Sequence, residues 1–160
     1  MHTTTIDVKL RKKDEFYSQY NDGKLSKDLA KYLKQECYGE DVNNKIVINI
    51  YHKFSLTKKE KDSMIDIIRH NYGMLIQDEE YYLFRNQAME IILFGGGILF
   101  LFIYYLFKRI EVFSEIMLIL GWLAIWESTY SFIFNGLSLK IKIKRLKEIT
   151  KAKINFIQEK

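Results

Sequence analysis

The stretch "AIWESTYS", residues 124–131, places a carboxylate, Glu127, inside the second of two long apolar runs, with Ser128, Ser131 and Asn135 close along the chain. A charged side chain in hydrocarbon costs about 2.5–3.5 kcal/mol on insertion scales, and it usually faces a bundle interior, a water-filled cavity or a partner group. Written at heptad spacing, the same run reads Ser114, Met117, Gly121, Ala124, Ser128, Ser131, Asn135, Ser138. Helices in lipid make close contact through such small and polar residues. Glu127 lies immediately beside this stripe. Two chemistries stay open. In one, Glu127 with Ser128, Ser131 and Asn135 lines a water-filled path that favours cations, built from several copies of the chain. In the other, the stripe only packs one helix on its neighbour and Glu127 reaches toward the interface.

The elements that position these residues follow from hydropathy. Residues 91–107, "IILFGGGILFLFIYYLF", carry no charge, and extending the run back to Ala88 admits only Glu90. A bilayer core of about 30 Å needs about 20 helical residues, so this run predicts a membrane span, with Tyr104 and Tyr105 at the far interface. The connection 108–111 is four residues long and residues 112–134 supply a second span, which forces an antiparallel hairpin. Folding about Ile110 brings Gly96 level with Ala124. Gly95, Gly96 and Gly97 then either let the helices touch or permit a bend.

Charge sets the expected direction. Residues 1–88 are close to neutral at +1, whereas residues 137–160 carry +6. The basic excess therefore belongs to the chain's end and does not make a general nucleic-acid surface. Lys140, Lys142, Lys144, Arg145 and Lys147 are expected at the membrane surface, on headgroups or another anionic ligand. The heavier basic flank stays inside, so both termini are predicted cytoplasmic on a multi-pass inner-membrane protein. No apolar core follows the first charges, so no signal peptide is expected. The stretch "LSLKIKIKRL" alternates like a strand, but a basic helix continuing the second span, through "RLKEITKAKINFIQEK", is the preferred reading.

The organisation expected is α+β: a small cytosolic β-α-β-α-(β) domain over residues 1–85, a two-helix transmembrane hairpin over 86–136, and a basic helical tail over 137–160. Strands are predicted at 3–12 and 45–54 from their alternation. "NDG", 21–23, reads as a turn. A helix capped by Ser26 presents Leu29, Tyr32, Leu33 and Cys37 on one face, and a second helix opens on a Thr57/Glu60 capping box, carries Met64, Ile65, Ile67 and Ile68, and stops at Gly73. "MLIQ", 74–77, is the bracketed third strand. A domain this small is marginal alone, which favours oligomerisation or docking on a partner. No flexible linker separates it from the first span.

Catalytic motifs are missing. There is no Walker lysine loop, G-x-S-x-G, H-E-x-x-H or C-x-x-C. His2, His52 and His70 are scattered, single Cys37 sits on an apolar helix face, and no metal or cofactor is expected. The chain is therefore not expected to be an enzyme. The heavy use of Lys, Ile, Asn, Tyr and Phe fits an AT-rich bacterial genome.

The layout of cytosolic α/β domain, two helices and basic end resembles the small two-pass membrane effectors of bacterial anti-phage defence operons, the Hailong-type effector among them. The resemblance is one of architecture over the whole chain and transfers no residue role. It implies a homo-oligomer that permeabilises the inner membrane as a pore or ion channel, under a nucleotide or oligonucleotide regulator made by a partner enzyme. Four subunits are the expected number. The alternative is a membrane-anchored adaptor whose cytosolic domain binds a partner protein.

Overall fold

The computed structural model describes residues 3–39 and 44–159; His2 and Lys160 lie outside the described residues. The chain divides into two compact units. One joins the residues up to Asp78 with those from Lys142 onward, and the other is Glu79–Ile141.

In the first unit, β1 (Thr3–Leu10), β4 (Lys45–His52) and β5 (Lys153–Gln158) form a parallel sheet in the order β1-β4-β5. β2 (Tyr17–Ser18) and β3 (Asn21–Leu25) form a separate antiparallel pair. The register Ile6↔Ile48↔Ile154 and Val8↔Ile50↔Phe156 stacks apolar residues on one face. Parallel crossovers are right-handed, so a sheet whose strand order follows chain order receives every crossover helix on the same face. That face is covered by Leu29, Leu33 and Cys37 of α1 (Lys27–Tyr38), by Met64, Ile68, Tyr72 and Ile76 of α2 (Lys58–Leu106), and by Ile143, Leu146 and Ile149 of α3 (Glu111–Thr150), all buried. Spacings of three and four place each set on one helix face, and each leucine, isoleucine or methionine among them contributes about 1.5–3 kcal/mol by leaving water.

The predicted caps form. Leu29 N–H donates to Ser26 Oγ at 3.3 Å, and Thr57 N–H donates to Glu60 Oε2 at 2.8 Å. Tyr32 differs from expectation: it is 40% exposed, and its hydroxyl donates to the Asp7 carbonyl.

Four expectations are corrected. Gly73 does not stop the second helix and 74–77 is not a strand; α2 continues unbroken to Leu106. A glycine ends a helix by entering the left-handed region, and no glycine among the described residues has a positive φ. Ile76 meanwhile extends the buried row four residues past Tyr72. "NDG" is not a turn but the start of β3, and the reversal falls at Gln19–Tyr20 instead. The tail is not helical to its end: the helix finishes at Thr150, and "KINFIQ" becomes β5 on the edge of β4. Ile154 and Phe156 match β4's apolar register, a gain that a free helical tail lacks.

The third strand of the mixed α/β fold is therefore β5, and the hairpin lies within the β4–β5 crossover. In the second unit, the later part of α2 and the earlier part of α3 run antiparallel about a turn at 107–110. Both are long and apolar enough to cross a membrane. Their large side chains, Ile92, Leu99, Trp122 and Phe132 among them, are mostly exposed.

Candidate functional site

The predicted stripe on α3 faces α2. Ser114, Gly121 and Ser128, seven residues apart, are buried; Met117, Ala124 and Ser131 are half-buried; Asn135 and Ser138 are exposed. At its centre two glycines meet. A Cβ on Gly97 would lie 2.7 Å from Ile125 Cγ1 and 3.1 Å from the Gly121 carbonyl oxygen, and one on Gly121 would lie 2.8 Å from Leu101 Cδ2 and 3.0 Å from the Gly97 carbonyl oxygen. Gly95 and Gly96 face open space. The fold point near Ile110 is as expected, but only Gly97 of the three glycines makes the contact.

The carboxylate held in this seam is Glu90, not Glu127. Glu90 is 6% exposed. Its Oε1 accepts from Ser131 Oγ at 2.8 Å, and its backbone oxygen accepts from Ser128 Oγ at 2.7 Å. Asn135 Nδ2 donates to Ser131 Oγ at 2.9 Å, which extends the chain of bonds toward the exposed end of the seam. Glu90 Oε2 is buried and has no hydrogen-bond partner. The structure thus brings Ser128, Ser131 and Asn135 together, but around a residue that in sequence only borders an apolar run. The signal was present: reflecting position 90 through Ile110 lands at 130, between Ser128 and Ser131.

Glu127 is exposed, as are Leu120, Leu123, Tyr130 and Phe134 at three- and four-residue spacing along the same face. One carboxylate therefore stands in an otherwise apolar stripe that α2 does not cover.

The basic cluster divides. Lys140, Lys144 and Lys147 are exposed and Lys142 is half-buried. Arg145 turns inward, donating from Nη1 to the Tyr38 carbonyl at 2.7 Å with its guanidinium 5.0 Å from the Tyr38 ring centroid. It fastens the end of α3 to α1. Cys37 lies beside it, with Sγ 3.7 Å from the Arg145 carbonyl. Burial pushes this thiol up to about 11 against the opposing pull of the Arg145 charge, so it is not a thiolate nucleophile near neutrality. His52 is buried with Nδ1 2.7 Å from the Phe54 carbonyl, and His70 is exposed.

Compared with protein-family models, curated proteins and solved structures, the chain matches none. Among the described residues no cluster of three or more His, Cys, Asp or Glu is placed to hold a metal ion. An open cavity of about 1100 Å³ runs along β1 beside the start of α1, but its charges are mixed, with Lys12 and Lys27 set against Asp14 and Asp28. It therefore selects neither sign of ligand.

Proposed function

We propose that this chain is an oligomeric, ion-conducting effector of a bacterial inner membrane, controlled by a ligand or partner at its α/β unit and acting in anti-phage defence or growth arrest. The observation that carries the reading is the exposure of Glu127 on an apolar helix face. The adjacent face of α3 is occupied by α2 and leaves Glu127 exposed, so a lone hairpin in a bilayer presents this carboxylate to acyl chains. Association of several copies along the exposed stripe gives Glu127 an interior, and a ring of carboxylates there favours cations. Glu90, with Ser131 and Asn135, adds a second carboxylate near the same level.

The pairing of β5 with β4 supports the topology. These strands flank the hairpin in sequence and lie in one sheet, so both ends of the hairpin emerge on one side of any bilayer that both helices cross. The basic residues after the second span favour the cytoplasmic side. The layout resembles the two-pass anti-phage effectors, which supports regulated permeabilisation; four subunits suffice to surround water.

Potential-sensitive dye uptake, read beside oligomer size, tests the proposal. Wild-type expression without its controller should depolarise cells. Glu127→Gln should keep assembly and lower cation flux, and Glu127→Leu should keep assembly and abolish flux.

The adaptor reading has its own support. The Gly97–Gly121 contact and the Ser128 and Ser131 bonds to Glu90 use the small-residue stripe within one hairpin, as a passive anchor does. Under it, wild type leaves the potential unchanged in every ligand state and both Glu127 variants behave like wild type.

A further inference from the structure

A strand order that follows chain order covers one face of the sheet and leaves the other bare. All-parallel sheets occur almost only with both faces covered. On the bare face the register aligns Asp7, Asn49 and Asn155 across the three strands. Asn49 Nδ2 donates to Asp7 Oδ1 at 3.0 Å, and Asn155 Nδ2 donates to Asn49 Oδ1 at 3.0 Å. Asp7 is exposed and the two asparagines are half-buried, with Lys153 exposed two residues before Asn155 on the same face. The rung has a direction. Its β1 end is a carboxylate, which only accepts; its β5 end offers the second N–H of Asn155 and the ammonium of Lys153.

We propose that a second copy of this chain covers the bare face, sheet against sheet, about a two-fold axis running along β4. That axis sets β1 of each copy opposite β5 of the other. Asp7 then meets Asn155 and Lys153 of the second copy, twice by symmetry, and β4 meets β4. The Lys9 ammonium of β1 and the Glu159 carboxylate just past β5, paired at 3.6 Å within one chain, are likewise brought to face each other across this axis, whereas a two-fold across the strands through the Asp7 rung sets Asp7 against Asp7. Three strands of this length present about 14 Å by 20 Å, on the order of 300 Å². A standard interface buries about 800 Å² per partner. The sheet contact therefore adds to association through the hairpin, and the inference rests on the self-association proposed above. A two-fold contact closes at two copies, so a four-subunit assembly contains two such pairs.

The test uses the full chain in detergent or nanodiscs, with Cys37→Ala and Val47→Cys. Val47 lies on β4, on the bare face and under the axis. A short bismaleimide should link two copies of the Val47→Cys chain through the introduced thiols. Asp7→Lys should remove the linked dimer, and Asp7→Lys with Lys153→Asp should restore it; circular dichroism confirms that each variant is folded. Oligomer size is measured in parallel. An intact oligomer that does not link through Val47→Cys overturns the sheet contact and leaves the pore assembly standing. A strict monomer overturns both. Linking through Tyr20→Cys, which is exposed on the β2–β3 hairpin, at the same rate as through Val47→Cys marks random collision and overturns the contact. Protection of Val47→Cys from alkylation by a single-stranded DNA oligomer, without linkage, gives the face to a nucleic acid and overturns it as well.

Discussion

Ser131 on α3 donates its hydroxyl to the Glu90 carboxylate on α2 at 2.8 Å, across a hairpin in which Gly97 also packs against Ile125 and Gly121 against Leu101. The second oxygen of the same carboxylate is buried without a partner. Incompletely matched polar groups of this kind are where a site for a passing ion or proton is sought.

Removing one partner of that bond should cost more than removing the carboxylate. Ser131→Ala leaves Glu90 with both oxygens unmatched and should lower the hairpin's resistance to denaturing detergent by about 1–3 kcal/mol. Glu90→Leu takes the buried charge away, leaves Ser131 bonded to Asn135 and leaves the Ser128 bond to the backbone intact. It should cost less. Unfolding of the purified chain, followed by circular dichroism in rising dodecyl sulfate, ranks the two.

The glycines should not be equivalent. Gly97→Ala and Gly121→Ala place a methyl group against the facing backbone, so the helices must part. Overpacking of this kind typically costs about 1–3 kcal/mol. Gly95→Ala and Gly96→Ala point into open space within one chain and should leave hairpin stability unchanged. Loss in these two alone, seen only as smaller oligomers, would place them at a contact between copies.

The β4–β5 pairing makes topology testable from both ends. Tags on the N-terminus and the C-terminus should be reachable only from the cytoplasm, and a tag in residues 108–111 only from outside. Opposite accessibility of the two termini is incompatible with one sheet containing both β1 and β5.

Acid should weaken the α/β unit through Glu60. The Lys13 ammonium, then the Thr57 backbone N–H and hydroxyl, hold its carboxyl down at about 2, below the ordinary carboxylate value. A carboxyl depressed in the folded state contributes its full stability above the unfolded value of about 4.3 and loses it as pH falls toward the folded one. Thermal melts between pH 6 and pH 2 should show wild type above Glu60→Gln at pH 6, with the gap closing by pH 2. A gap independent of pH would assign the effect to packing.

Several features were legible in the sequence because their causes are local. The Thr57/Glu60 box needs only residues three apart, and Ser26 caps its own helix. The two long apolar helices follow from the length of their apolar runs, and the hairpin from a four-residue connection. The stripe from Ser114 to Ser138 is a helical-period pattern too, and the structure buries it at Ser114, Gly121 and Ser128 while leaving Asn135 and Ser138 exposed.

What tertiary structure alone decided was which partner each pattern meets. "KINFIQ" is compatible with the end of a basic helix until the edge of β4 stands beside it, and then Ile154 and Phe156 gain matching rows. Gly73 carries a stop signal that the next buried turn, at Ile76, overrides. Arg145 looks like one more snorkelling cation, but Tyr38 gives it a ring and a carbonyl. The two carboxylates exchange roles for the same reason. Glu127 has the more conspicuous apolar neighbours in sequence, but a helix has faces, and the face that α2 covers carries Ser128 and Ser131 to Glu90 while leaving Glu127 outside. Composition and period set what each segment can bury; only the packing of distant segments chooses which side chains are buried together.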